Sequence, residues 1–127
     1  MEFKVSYDRD HDCIRITFDG EVVESELQKL ASKLIKVSKE HGCRFILNDM
    51  RNATISLSTT DIYNLPKQLT DWGIGHDLKR AIVINKYKDL RFFETVSKNT
   101  GQNVQVFTDA DEAMHWLKGD QTPKKNS

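Results

Sequence analysis

Asp49 and Arg51 stand two residues apart just after the apolar run Phe45-Ile46-Leu47. An acid and a guanidinium at that spacing can hold a partner's polar groups, or pair with each other and order the chain around them. Ser58-Thr59-Thr60-Asp61 places hydroxyls beside an expected helix start. A phosphate there would meet free backbone amides and the favourable end of the helix dipole, yet the same side chains also serve as plain N-caps. His11-Asp12-Cys13 and His41-Gly42-Cys43 are two His-x-Cys segments at expected strand entries. If those strands are parallel neighbours, four N and S ligands converge on one sheet edge, as a zinc site requires. The spacing matches no familiar zinc signature, and cysteines at strand entries ordinarily act as small buried hydrophobes, so no metal is expected.

Catalytic patterns are harder to find. The sequence shows no Ser-His-Asp order, Walker loop, Rossmann glycine pattern or His-Glu-x-x-His helix. Trp72-Gly73-Ile74-Gly75-His76 carries two glycines but precedes a strand, and it reads as a turn. No catalytic residue and no cofactor are therefore expected.

The elements that must position these residues are marked by periodicity. Phe3, Val5 and Tyr7 alternate with Glu2, Lys4 and Ser6, which predicts a half-buried edge strand. After the polar cluster 8–12, Ile14, Ile16 and Phe18 predict the second arm of a hairpin, ended by Asp19-Gly20. Val23, Leu27, Leu30, Ala31, Leu34 and Val37 recur at helical spacing, with Lys36, Lys39 and His41 ahead of a stop at Gly42. Residues 43–47 and 81–84 read as interior strands covered on both sides. Between them Ile62, Leu65 and Leu69 suggest a helix that Pro66 breaks. Leu90, Phe93 and Val96 form another stripe, opened by Asp89 and closed by Gly101. Phe92 beside Phe93 cannot share its face, so one ring lines a cavity or a dimer contact unless the stripe is wide. Residues 104–107 make a last strand. Thr108, three positions before Asp111, suggests a capping-box variant, and Ala113, Trp116 and Leu117 give the final helix its buried face.

Composition narrows the function classes. Apolar residues make up 38% and charged residues 30% of 127, the balance of a globular chain, and the length suits one domain over 1–118 with a disordered tail over 119–127. Nineteen basic and nineteen acidic side chains cancel, which argues against a nucleic-acid partner. No apolar run approaches the ~20 residues of a membrane span. The opening Met1-Glu2-Phe3-Lys4 lacks a signal-peptide pattern, and two cysteines without a secretory context fit reduced thiols in the cytoplasm.

The order β, β, α, β, α, β, α, β, α predicts an α/β fold: a mostly parallel five-stranded sheet with an antiparallel first hairpin and about four helices. Three stretches carry a family likeness with it. They are Asp49-Met50-Arg51, then Lys79-Arg80-Ala81-Ile82-Val83-Ile84, and Phe107-Thr108-Asp109-Ala110-Asp111-Glu112-Ala113 leading to Trp116-Leu117. Over about 1–118 the chain resembles the STAS domain in its SpoIIAA-like branch.

That resemblance implies a non-catalytic binding or regulatory module for a protein partner or a small ligand, with a homodimer as a further option. In the anti-sigma-antagonist branch a serine near the start of the helix after the central strand is phosphorylated. Here the loop over 50–58 is longer, no Asp-Ser pair follows the strand, and Ser56, Ser58, Thr59 and Thr60 compete for that position. Ligands of open parallel sheets meet the loops past the strands' carboxyl ends, where Asp19, Asp49, Arg51, Asn85, Lys86 and Thr108 are expected. Asp49, Arg51, Ser58, Thr59, Asn85 and Lys86 are the expected binding residues, within the segment 49–61 and the next strand end. The alternative is a carrier of a small apolar ligand or lipid. The resemblance of this branch to lipid-transfer domains suggests it, and Ile46, Ile82, Ile84 and Phe107 would form a second apolar sheet face that needs a cover.

Overall fold

Alternating apolar and polar residues make the expected hairpin: β1 (Glu2–Asp8) pairs antiparallel with β2 (Cys13–Val22), Val5 opposite Ile16. The structure, a computed structural model, describes residues 2–86 and 90–119, apart from the side chain of Phe92. The expected N-cap Asp89, the Phe92 ring and the tail over 120–127 lie outside the described residues. Asp19-Gly20 does not end β2. Gly20 takes a φ of 87° and the register with the next strand shifts between Thr17 and Asp19, so an irregularity absorbs the break and pairing resumes.

Helix α1 (Glu24–His41) buries Leu27, Leu30, Ala31 and Leu34, and stops where Gly42 adopts a left-handed φ of 60°. Val37 is only half-buried. Ser38 faces inward in its place, donating its hydroxyl to the Cys43 carbonyl at 2.6 Å. Strand β3 (Phe45–Ile55) begins later than expected and ends at Ile55, not at 47, so residues 49–55 are strand and not loop. Helix α2 (Thr59–Asp71) runs unbroken through Pro66. A capping box fixes its start, and the buried proline ring offsets the amide bond that proline cannot make.

Next come β4 (Lys79–Val83), α3 (Arg91–Asn99), β5 (Val104–Phe107) and α4 (Ala110–Leu117). Leu90 occupies the N-cap of α3 without a side-chain cap. Asp109, not Thr108, caps α4, accepting the Asp111 and Glu112 amides at 2.8 and 3.1 Å. On α3 the inward residues are Phe93, Glu94 and Ser97, with Val96 half-buried.

The strands lie in chain order β1-β2-β3-β4-β5, with β2 to β5 parallel. One sheet face carries Ile14, Ile16, Ile46, Ile82, Val104 and Val106 into the main core with the apolar faces of α1, α2 and α3. On the other, Cys13, Leu47, Ala81 and Val83 meet Ala113 and Leu117 of α4. Phe107 packs on this second side against Trp116 and so does not join Ile46, Ile82 and Ile84. Trp116 is half-buried beside the buried pair Ala113 and Leu117, with the Lys79 ammonium 4.5 Å from its ring.

Coverage of the sheet is uneven. Helix α4 packs mainly on β3, β4 and β5. Helix α2 lies beside α1 and α3, and its Ile62, Leu65 and Leu69 join the sheet residues in the main core.

Candidate functional site

Two places are candidates, a polar rim and an apolar cavity. The first is the rim where β3 outruns β4. Pairing with β4 ends at Asp49 opposite Val83, whereas pairing with β2 continues to Ile55, so among the described residues β3 beyond Asp49 has a strand on one side only. Alternation puts Asp49 and Arg51 on one face of β3. Their side chains form a two-pronged bridge, Arg51 Nε donating to Oδ1 at 2.9 Å and Nη2 to Oδ2 at 2.7 Å. The Arg51 amide adds a third bond to Oδ1 at 3.1 Å. This bonding holds the Asp49 carboxyl below its ordinary range and pushes Arg51 up. Asn85 joins them by donating Nδ2 to the Arg51 carbonyl at 2.7 Å.

The remaining rim residues are placed more loosely. Lys86 is exposed next to Asn85 in the chain. Ser58 is engaged in the α2 cap, its Oγ accepting the Asp61 amide at 3.0 Å while Asp61 Oδ2 accepts the Ser58 amide at 3.2 Å. Thr59 is the exposed first residue of α2. Asp19 is an exposed residue inside β2, and Thr108 is exposed ahead of the α4 cap. The structure thus joins Asp49, Arg51 and Asn85, and places Ser58 and Thr59 at a separate helix start.

The two His-x-Cys segments do lie at neighbouring parallel strands, but their side chains diverge. Cys13 is buried on the α4 side of the sheet and Cys43 in the core on the other side. His41 closes α1 and stacks on Tyr7 at 4.1 Å, whereas the His11 Nδ1 lies 2.9 Å from Asp8 Oδ2. Burial pushes the Cys13 thiol up to about 11 and raises Cys43 also, which keeps both protonated and poor metal ligands. Among the described residues no three His, Cys, Asp or Glu side chains gather around one point.

The second place is a cavity of about 90 Å³ between the sheet and the three helices above it. Its walls are apolar, including Ile16, Phe18, Leu65, Leu69, Ile82 and Phe93, but Asn48 and Arg80 also reach it. Arg80 is only 5% exposed. One of its terminal nitrogens donates to Gln102 Oε1, while Nε has no protein acceptor among the described residues. Desolvation lowers its pKa to about 10. An ion so placed carries a large desolvation cost, and an amide oxygen does not cancel its charge.

The Asp49–Arg51 pair is readable from spacing. Arg80 escapes a reading of the sequence, because a basic residue at a strand entry is ordinarily exposed. The signal is present all the same: period two puts Arg80 on the face of Ile82 and Ile84. Gln102 and Asn48 carry no local signal, since their roles come from the packing of distant elements.

No family model matches the chain, and neither does any curated protein. Solved structures do. An uncharacterised protein from Shewanella loihica PV-4, of the DUF3478 family and with a SpoIIAA-like fold, superposes at a TM-score of 0.63 with 17% identity, over 91% of this chain and 93% of that one. An anti-sigma factor antagonist from Mycobacterium paratuberculosis superposes at 0.60 with 9% identity, over 92% and 95%. At such identities the likeness speaks of architecture. Together with the element order and the mixed sheet, it establishes that the chain has the SpoIIAA-like fold of STAS domains.

Proposed function

We propose that the chain is a non-catalytic binding module of the STAS type, which docks a protein partner on the rim formed by Asp49, Arg51, Asn85 and Lys86. The observation that carries this reading is the exposed segment of β3 past Asp49. It combines a strand edge with no neighbouring strand among the described residues, which a partner's extended segment can extend, with a charged pair and an amide that give the contact direction. The likeness to an anti-sigma factor antagonist, a regulatory protein by its name, supports the same class. Asp49→Ala combined with Arg51→Ala tests it by affinity capture. Wild type is expected to retain at least one partner that the double variant loses at an unchanged thermal midpoint. Identical partner sets overturn the assignment.

A second reading, a carrier of a small apolar ligand, is favoured by one observation: the apolar cavity beneath α2. Proteins pack their interiors closely, and a void of this size beside a polar group is a place where a ligand gains contacts that the folded chain lacks.

A further inference from the structure

We propose that the cavity beneath α2 is a binding site for a small apolar monocarboxylic acid, whose carboxylate is held by the Arg80 guanidinium. The inference rests on the carrier reading and deepens it by naming the ligand class and its anchor.

Arg80 is the group that decides the class. Its side chain is buried, lines the cavity and leaves Nε without an acceptor, and among the described residues no carboxylate pairs with it. Its acceptor Gln102 is locked in place. Gln102 donates Nε2 to Thr70 Oγ1 at 2.7 Å and to the Ile74 carbonyl at 2.9 Å, so its Oε1 is left to face Arg80. The guanidinium is therefore held rigid by a neutral partner, with bonding capacity and a full charge to spare. A planar fork of donors matches a carboxylate in both shape and sign.

The cavity walls decide the remainder of the ligand. Apart from Arg80 and Asn48 they are apolar, so a phosphate or a dicarboxylate would leave oxygens against side chains without donors. A hydrocarbon tail meets no such penalty. The volume of about 90 Å³ is below the ~150 Å³ of an apolar void that admits benzene, which limits the tail to a few carbons.

The test uses the full chain and two probes of one shape, sodium 3-methylbutanoate and the neutral 3-methylbutanamide. Titration calorimetry is expected to show the acid binding about 10- to 100-fold more tightly than the amide, the worth of a hydrogen bond to a charged group. In ¹⁵N spectra of the wild type, the Arg80 Nε–H resonance is expected to move with the acid and not with the amide. Arg80→Met is expected to bind both alike and weakly. Equal binding of the two probes with an unmoved Arg80 resonance overturns the anchor while leaving the carrier reading in place. If neither probe binds and xenon does not enter, the carrier reading falls as well. The wild-type resonance decides the question even if Arg80→Met folds poorly.

Discussion

Asp8 shows how much one side chain can be made to hold. At the end of β1 its Oδ2 accepts from Arg15 Nε at 2.7 Å and lies 2.9 Å from His11 Nδ1, while Oδ1 accepts the His11 amide at 3.2 Å. The bond from Arg15 is the largest cause pulling its pKa down from 3.8 to about 2, with the His11 bonds adding to it. A folded value below the unfolded one means that the ionised form is the one the fold favours. This contribution to stability is complete above about pH 4 and is lost as pH falls through about 2. A carboxyl NMR titration is expected to place the Asp8 midpoint near 2, and Arg15→Ala to move it up towards 3.8. An unmoved midpoint would show that Arg15 is not the cause. Tyr7 is the mirror case, its phenol donating to Asp12 Oδ1 at 2.7 Å and its pKa raised to about 12 by that bond first. At this scale the sequence is legible where partners are neighbours in the chain, as at Asp49 and Arg51. It is opaque where they come from separate elements, as with Arg80 and Gln102.

Element boundaries obey the same rule. Strand β3 outlasts its sequence signal because Asn48, Asp49 and Asn52 are poor strand formers, whereas the structure carries them through a long pairing with β2. That overrun turns an expected loop into a strand with one open edge, the basis of the proposed docking rim. Pro66 misleads in the opposite direction. The rule against interior proline is local, and here a fully buried ring and a firm N-terminus outweigh it. The cap is testable on its own: Ser58→Ala removes the hydroxyl that accepts the Asp61 amide, and thermal unfolding should show a loss of about 1 kcal/mol. A phosphate-accepting role for Ser58 would require breaking the same cap, so a Ser58→Ala protein that melts like wild type would count against the capping geometry itself.

For the whole molecule, the antiparallel opening hairpin, the mostly parallel sheet and the interleaved helices are legible from period and connection rules, whereas the strand order and the sheet face that each helix covers are not. Those rules do not contain the distance between a helix and the sheet it covers. Helix α2 lines the cavity and lacks one internal amide bond at Pro66. Its amides are therefore expected to exchange with deuterium faster than those of α1, β2 and β3, as a unit that opens before the sheet does. Equal protection across these elements would mean that α2 is as firmly seated as the core.

Glu94 has a consequence for assembly. It is buried on α3, and its Oε2 accepts the Val106 amide at 2.6 Å on β5, the last strand of the sheet. A terminal strand ordinarily invites a neighbouring molecule to add its own backbone, and runaway growth of this kind is how sheet proteins precipitate. Here an acid already occupies that amide, so a second copy extending the sheet on this flank would first have to evict it.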